Sequence, residues 1–254
     1  MARAERRPRW FTIGDELMWP LIGMGVALAR NVALSTDLKP VLELSLCHHA
    51  GCIEAAGYAN RRGKHSAAMC LVRQSLEALT VVEIGLQKPA FAAPLLAAWK
   101  TGKKSQGELR RALERDIWPS YGTGLWNEPW AEFYANLAQA VQPYAHYTQE
   151  LQGWQFVTLS VDHDGSAIET TGLETYDPLK ATRITFFHML LTWMLGRILL
   201  TNGQSRDVLQ RRGEIVRLGH ALRSSKLLFQ QAEWWAQLTP NFWFKPGHDW
   251  TDEA

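Results

Sequence analysis

An acidic and a basic residue lie four positions apart within an apolar helical stretch of the chain, residues 65–87. Apolar residues occur on nearly every side of this stretch, which predicts a central helix buried on several faces. Arg73 and Glu77 are four residues apart on a narrow polar stripe, so they can form an ion pair. Burying such charges is costly unless they are paired, and a nearby histidine would add a proton carrier. Arg73, Glu77 and His146, in the segment QPYAHYTQE, are therefore candidate catalytic residues; the alternative is a polar network that fixes helix packing.

A second candidate pair, Arg183 and His188, lies five residues apart near the start of another apolar helix. This spacing resembles the R-x4-6-H motif of the HEPN superfamily of helical ribonucleases, in which the arginine and histidine act on the RNA phosphodiester, commonly across a dimer interface. The resemblance implies a metal-independent endoribonuclease with Arg183 and His188 as catalytic residues, RNA as substrate, no cofactor and a homodimer as the assembly. The alternative is an arginine at the start of the helix and a histidine in the core.

Arg73 and Glu77, in the predicted central helix, are part of a second and looser resemblance. An R-x3-E helix followed by a tyrosine and histidine segment, here Tyr144 to Tyr147, is similar to uncharacterised bacterial helical proteins, some of which resemble abortive-infection proteins. This resemblance implies a role in defence and no particular activity.

Cysteine and histidine occur together in the sequence CHHAGC. His48 and Cys52 are four residues apart and face one way on a helix, as paired zinc ligands often do, and Cys47 precedes them. No second ligand pair with zinc spacing follows. A metal-dependent hydrolase that uses Cys47, His48 and Cys52 is thus the third functional hypothesis; the alternative is small buried cysteines beside histidines at the helix edge.

The segment WPSYGTGLWNEPW, residues 118–130, is rich in aromatic residues and glycine and has no periodicity. It predicts an ordered surface loop packed by its own tryptophans. This loop is the basis of the second functional hypothesis, a non-enzymatic interaction module that docks a protein partner.

Basic residues are frequent near the end of the chain: Arg206, Arg211, Arg212, Arg217, Arg223 and Lys226. They do not line one stripe of a helix, which is typical of a solvated surface, and contact with phosphate is the alternative.

Composition restricts the classes of function. The net charge of +2 is close to balanced, which argues against a dedicated nucleic-acid coat protein. Three cysteines favour a reducing cytoplasm over a disulfide framework. The most apolar run, 184–200, contains His188 and Arg197 and is slightly short for a bilayer, so no membrane partner is expected. The sequence lacks the Walker A, dinucleotide-binding, nucleophile-elbow and H-E-x-x-H motifs. Their absence argues against nucleotide hydrolases, dehydrogenases and ordinary α/β hydrolases.

The remaining patterns predict one mainly α domain over residues 1–254, a multi-helix bundle. Alternating residues with a central turn predict a small β-hairpin insert near 155–171. Residues 1–14 are expected to form a basic, weakly ordered arm. Residues 239–254 are too aromatic for a free tail and are expected to fold back onto the body.

Overall fold

The computed structural model describes residues 8–142, 151, 157–161, 167–171, 176–202 and 205–225. This part of the chain is mainly helical, as the sequence predicts. The helices are α1 (Arg9–Asn31), α2 (Lys39–Arg61), α3 (His65–Gly85), α4 (Pro89–Lys100), α5 (Gln106–Asp116), α6 (Trp130–Val141), α7 (Pro178–Asn202), α8 (Arg206–Gln210) and α9 (Arg212–Arg223), with a 3-10 helix at Trp118–Ser120.

Helix α3 is the central element of the bundle. It packs against α2, α4, α5, α6 and α7, and 15 of its 21 residues are buried. Leu76, Leu79 and Val82 are fully buried, as the all-round apolar pattern predicts, whereas Leu71 is only partly buried. Burial of a leucine side chain contributes roughly 1.5–3 kcal/mol, so this helix supplies a large share of the core.

Helix α7 is the second core element and packs against α1, α2, α3 and α9. It begins at Pro178, directly after Asp177, whose Oδ1 accepts a hydrogen bond from the Lys180 backbone nitrogen at 3.1 Å. This is the predicted start, because an aspartate cap satisfies a free N–H and proline fits the first turn.

Helix α1 begins at Arg9, so the predicted basic arm is wrong for residues 9–14. Trp10 is buried and its ring packs edge-on against Phe186, with centroids 5.1 Å apart. This contact with α7 stabilises the first turn, which the arginine-rich sequence does not reveal. Residues 1–7 of the predicted arm and the predicted folded-back segment 239–254 lie outside the described residues.

Two short strands, β1 (Val157–Val161) and β2 (Ala167–Thr171), run antiparallel with two shifts in register. Most of the buried core residues that the structure describes belong to the helices, and others, such as Leu34, Leu38 and Leu86, belong to the connections beside them. The mainly helical fold is thus confirmed, and the β-hairpin as a distinct insert remains a prediction.

Among the described residues, two helices are long and apolar enough to cross a membrane, Arg9–Asn31 and Lys180–Asn202. In the second, 78% of the most apolar window is buried inside the protein, against 33% in the first. Core helices of soluble proteins and signal sequences have the same length and composition. Length and apolar composition therefore do not show that either helix crosses a membrane.

Candidate functional site

The Arg183 and His188 side chains are both buried within the bundle. Five residues on a helix correspond to a rotation of about 140°, so the two side chains leave α7 in different directions. A ribonuclease pair has to reach a phosphodiester together from a surface that RNA can enter. The structure instead places both residues in the packed interior, which corresponds to the core alternative.

His188 belongs to a buried histidine cluster. The Ser75 hydroxyl lies 2.7 Å from Nδ1 of His49, and within the described ranges neither His49 Nε2 nor His188 Nε2 has a hydrogen-bond partner. Burial lowers the pKa of each imidazole to about 4, and a charge on one disfavours a charge on the other. Both rings are therefore neutral at pH 7, and neither is accessible to a substrate.

Arg73 and Glu77 form the predicted ion pair, with Nη2 of Arg73 2.7 Å from Oε1 of Glu77. Their side chains are 17% and 39% exposed, so the expectation of a fully buried pair is wrong. The pair lies at the edge of α3, where Gln106 and Arg110 of α5 and Tyr134 of α6 line a small cavity with it. The third candidate, His146, lies outside the described residues.

The candidate metal ligands only partly converge. His48 Nε2 and the Cys52 sulfur are 3.5 Å apart, but Cys47 is exposed on another side of α2. Burial raises the pKa of the Cys52 thiol, which disfavours the thiolate that binds metal. Within the described ranges no group of three His, Cys, Asp or Glu side chains could hold a metal ion. The predicted centre thus lacks a third ligand there.

The aromatic loop 118–130 is ordered by its own side chains, as predicted. Trp118 and Trp130 are buried, and the Trp130 ring contacts Tyr121, Phe133 and Trp193 at centroid distances of 5.3 to 5.9 Å. A docking loop needs aromatic surface that is free to contact a partner. Since these rings face the core, the loop supports the fold and the partner-docking interpretation loses its main contact residues.

A basic cleft of about 490 Å³ lies between α7, α8 and α9 and the aromatic loop. Its basic lining residues are Arg197, Arg212, His220 and Arg223, and none of the described residues that line it carries a carboxylate. Among the late basic residues of the chain, Arg212 and Arg223 line this cleft, whereas Arg211 pairs with Glu214 at 2.7 Å. Three guanidinium groups around one concave surface create a positive potential that attracts anions.

Arg197 is held in place at the inner wall of the basic cleft. Its Nη2 donates a hydrogen bond to the backbone oxygen of Tyr121 at 3.2 Å. Its guanidinium carbon lies 5.3 Å from the ring centres of both Trp130 and Trp193. Cation–π contact and the hydrogen bond fix the side chain before any ligand binds, which reduces the entropy lost on binding.

Two glycines bring the helices of the cleft together. A Cβ on Gly219 of α9 would lie 2.6 Å from Nε1 of Trp193, and one on Gly196 of α7 would lie 3.0 Å from Ile215. The helices approach this closely only because these positions lack side chains. Trp193 and Gly219 both line the cleft, so their close approach forms part of its wall, which also includes Arg197 of α7 and Arg212 and Arg223 of α9.

A buried acid that the sequence analysis missed lies behind the cleft. Oε1 of Glu83 accepts a hydrogen bond from Trp118 Nε1 at 2.7 Å, and burial raises the pKa of Glu83 to about 8. The Tyr121 hydroxyl accepts a hydrogen bond from Asn202 at 2.6 Å and also interacts with Glu83. The sequence signal was a single glutamate in the apolar run LTVVEIGL, which requires a polar partner.

Comparison of the chain with protein-family models, with curated proteins and with solved structures finds no match.

Proposed function

We propose that the protein binds single-stranded RNA, with the phosphate backbone held in the basic cleft. The observation that carries this proposal is the convergence of Arg197, Arg212, His220 and Arg223 on one concave surface, whose lining includes no carboxylate from the part of the chain that the structure describes. Guanidinium groups form charge-assisted, bidentate hydrogen bonds with phosphate oxygens. Arg197 is fixed in advance, while the exposed Arg212 and Arg223 can follow the backbone.

The apolar part of the cleft favours a single strand over a duplex. Leu209 and Val216 are 51% and 46% exposed and line the cleft beside the arginines. A single strand can turn its bases toward apolar side chains, whereas a duplex keeps its bases stacked inside. Phosphate contact and base contact are thus available on the same surface.

The proposal retains the RNA ligand that the HEPN resemblance implies and assigns no catalytic role to Arg183 and His188. Both are buried, so they are unsuited to contact a phosphodiester without opening of the bundle. Ribonuclease activity, a defence role and a homodimer therefore remain hypotheses that the cleft itself does not require.

Two further expectations are part of the proposal. All three cysteines are free thiols, which is typical of a reducing compartment and supports a cytoplasmic location that cell fractionation would test.

The β-hairpin near 155–171 is retained as an insert of the helical bundle, and slow hydrogen exchange of the amides in 157–161 and 167–171 would test it.

Fluorescence anisotropy with a labelled single-stranded RNA tests the binding site. The parent is expected to bind with an affinity that falls with salt concentration, because each phosphate contact releases counterions. Replacing Arg212 and Arg223 by glutamine should weaken binding and reduce the salt slope by roughly 1.4, at ~0.7 per lost contact on a single strand.

The matched control is Arg217→Gln, because Arg217 is exposed on α9 but does not line the cleft. Its affinity and salt slope should stay close to those of the parent. Equal losses in Arg217→Gln and in the double variant would show diffuse attraction to a basic surface. That result, or the absence of binding by the parent at low salt, would refute the proposal.

A further inference from the structure

A small cavity of about 60 Å³ lies between α3, α5 and α6, away from the residues that line the basic cleft. Its polar lining comes from Arg73, Glu77, Gln106, Arg110 and Tyr134. A water-sized sphere occupies about 10–15 Å³ by this measure, so the cavity has room for several non-hydrogen atoms. A tetrahedral oxyanion such as phosphate or sulfate has five.

The charges around the cavity are not balanced. Arg73 pairs with Glu77 at 2.7 Å, whereas Arg110 forms no ion pair within the described part of the chain. Two guanidinium groups therefore face one carboxylate, which leaves one net positive charge. A partly enclosed positive charge attracts an anion more strongly than one in bulk water, because screening by solvent is weaker there.

Hydrogen bonding at the cavity is also incomplete. Nε of Arg73 and Nε of Arg110 are both shielded from solvent, and neither has a hydrogen-bond partner among the described residues. A buried donor without an acceptor destabilises the fold, so an acceptor between the two side chains would be favourable. Oxygen atoms of an anion can accept from both guanidinium groups at once.

The phenol of Tyr134 lies in the wall of the same cavity as Arg73 and Arg110. Burial raises the pKa of Tyr134 to about 12, and the positive charges of Arg73 and Arg110 both act to lower it. The Tyr134 hydroxyl lies 2.7 Å from Oγ1 of Thr80, which holds the ring at the wall of the cavity. Tyr134, Arg73 and Arg110 thus line the same cavity.

We propose that this cavity binds a small tetrahedral oxyanion, inorganic phosphate or sulfate, between Arg73 and Arg110. Glu77 orients Arg73 and limits the affinity by its own charge. Ordered water is the competing occupant, because water would also satisfy the two Nε donors without adding charge. The inference is independent of RNA binding, since it uses none of the cleft arginines.

Isothermal titration calorimetry tests the site with sodium phosphate and with sodium sulfate, each at an ionic strength held constant with chloride. The parent is expected to bind one anion per chain in this cavity, and replacing Arg212 and Arg223 of the basic cleft by glutamine should leave that binding unchanged, because the two sites share no residue. Arg110→Gln should weaken binding by at least about tenfold, which is the loss expected for one charge-assisted contact. Glu77→Gln should tighten binding, because it removes the repelling carboxylate.

Arg111→Gln is the matched control, since Arg111 is the exposed neighbour of Arg110 on α5 and does not line the cavity. Its affinity should equal that of the parent, and thermal melts in chloride should show that every variant is folded. The absence of saturable binding by the parent would overturn the proposal and favour water. Equal binding by Arg110→Gln and the parent would overturn it as well.

Discussion

The indole of Trp118 donates a hydrogen bond from Nε1 to Oε1 of Glu83 across 2.7 Å, and both side chains are buried. This bond ties the aromatic loop to the central helix α3. A buried carboxylate would be costly as an anion, and its pKa of about 8 keeps it protonated at pH 7. The loop next to the basic cleft is thus anchored by a neutral acid rather than by an ion pair.

Glu83→Gln is expected to change how stability depends on pH. The pKa of Glu83 is raised from 4.5 to about 8 on folding, so its stabilising contribution is complete below pH 4.5. The contribution is lost as pH rises toward 8, because the unfolded chain ionises first. Urea unfolding across this range should show a smaller decline for Glu83→Gln than for the parent. The exposed Glu114→Gln should follow the parent; a decline in Glu83→Gln as steep as in the parent would contradict the assignment.

His188→Leu is expected to reduce sensitivity to acid. The pKa of His188 is lowered from 6.5 to about 4, so the folded protein binds fewer protons than the unfolded chain between these values. Stability should fall as pH drops through this window, and leucine in place of His188 removes part of that loss. A parent whose melting temperature is flat from pH 6.5 to 4 would rule out this account.

The sequence predicted the helices and the central position of α3 because both depend on local periodicity and on the all-round apolar character of residues 65–87. It also predicted that Arg73 would contact Glu77, since four-residue spacing fixes that geometry. It could not predict how much of the pair α5 and α6 would cover. Burial depends on which elements pack around a helix, and neither spacing nor composition encodes that.

The basic cleft could not be predicted from the sequence either, because it too depends on how helices pack. Arg197 was visible only as a charge within an apolar run, and Arg212 and Arg223 only as members of a scattered series. Their convergence follows from the close approach of α7 and α9 at Gly196 and Gly219, which is a tertiary feature. Arg183 and His188 had motif spacing, but a spacing of five residues does not decide whether a helix surface faces solvent or the core.

Glu77→Ala is expected to lower stability by less than about 1 kcal/mol, because the Glu77 side chain is 39% exposed and partly exposed ion pairs contribute little. Full burial of the pair would instead have predicted a loss of roughly 3–5 kcal/mol. Urea unfolding in chloride buffer, free of phosphate and sulfate, measures the difference without an added oxyanion. Glu83→Ala, at the buried glutamate of the same helix, provides the comparison and should lose more. A loss above about 3 kcal/mol in Glu77→Ala would show that the pair is more strongly coupled to the core than its exposure indicates.

Gly219→Ala is expected to destabilise the protein by about 1–3 kcal/mol, because its Cβ would lie 2.6 Å from Nε1 of Trp193. The displaced indole would also disturb Arg197, which packs against it, so RNA affinity should fall. Gly213→Ala is the control in the same helix: no atom lies within 4 Å of the added Cβ, and stability should equal or slightly exceed that of the parent. Urea unfolding followed by tryptophan fluorescence measures stability, and anisotropy with labelled RNA measures affinity. Equal behaviour of the two variants would show that α7 and α9 tolerate a wider separation and that the cleft does not depend on their close approach.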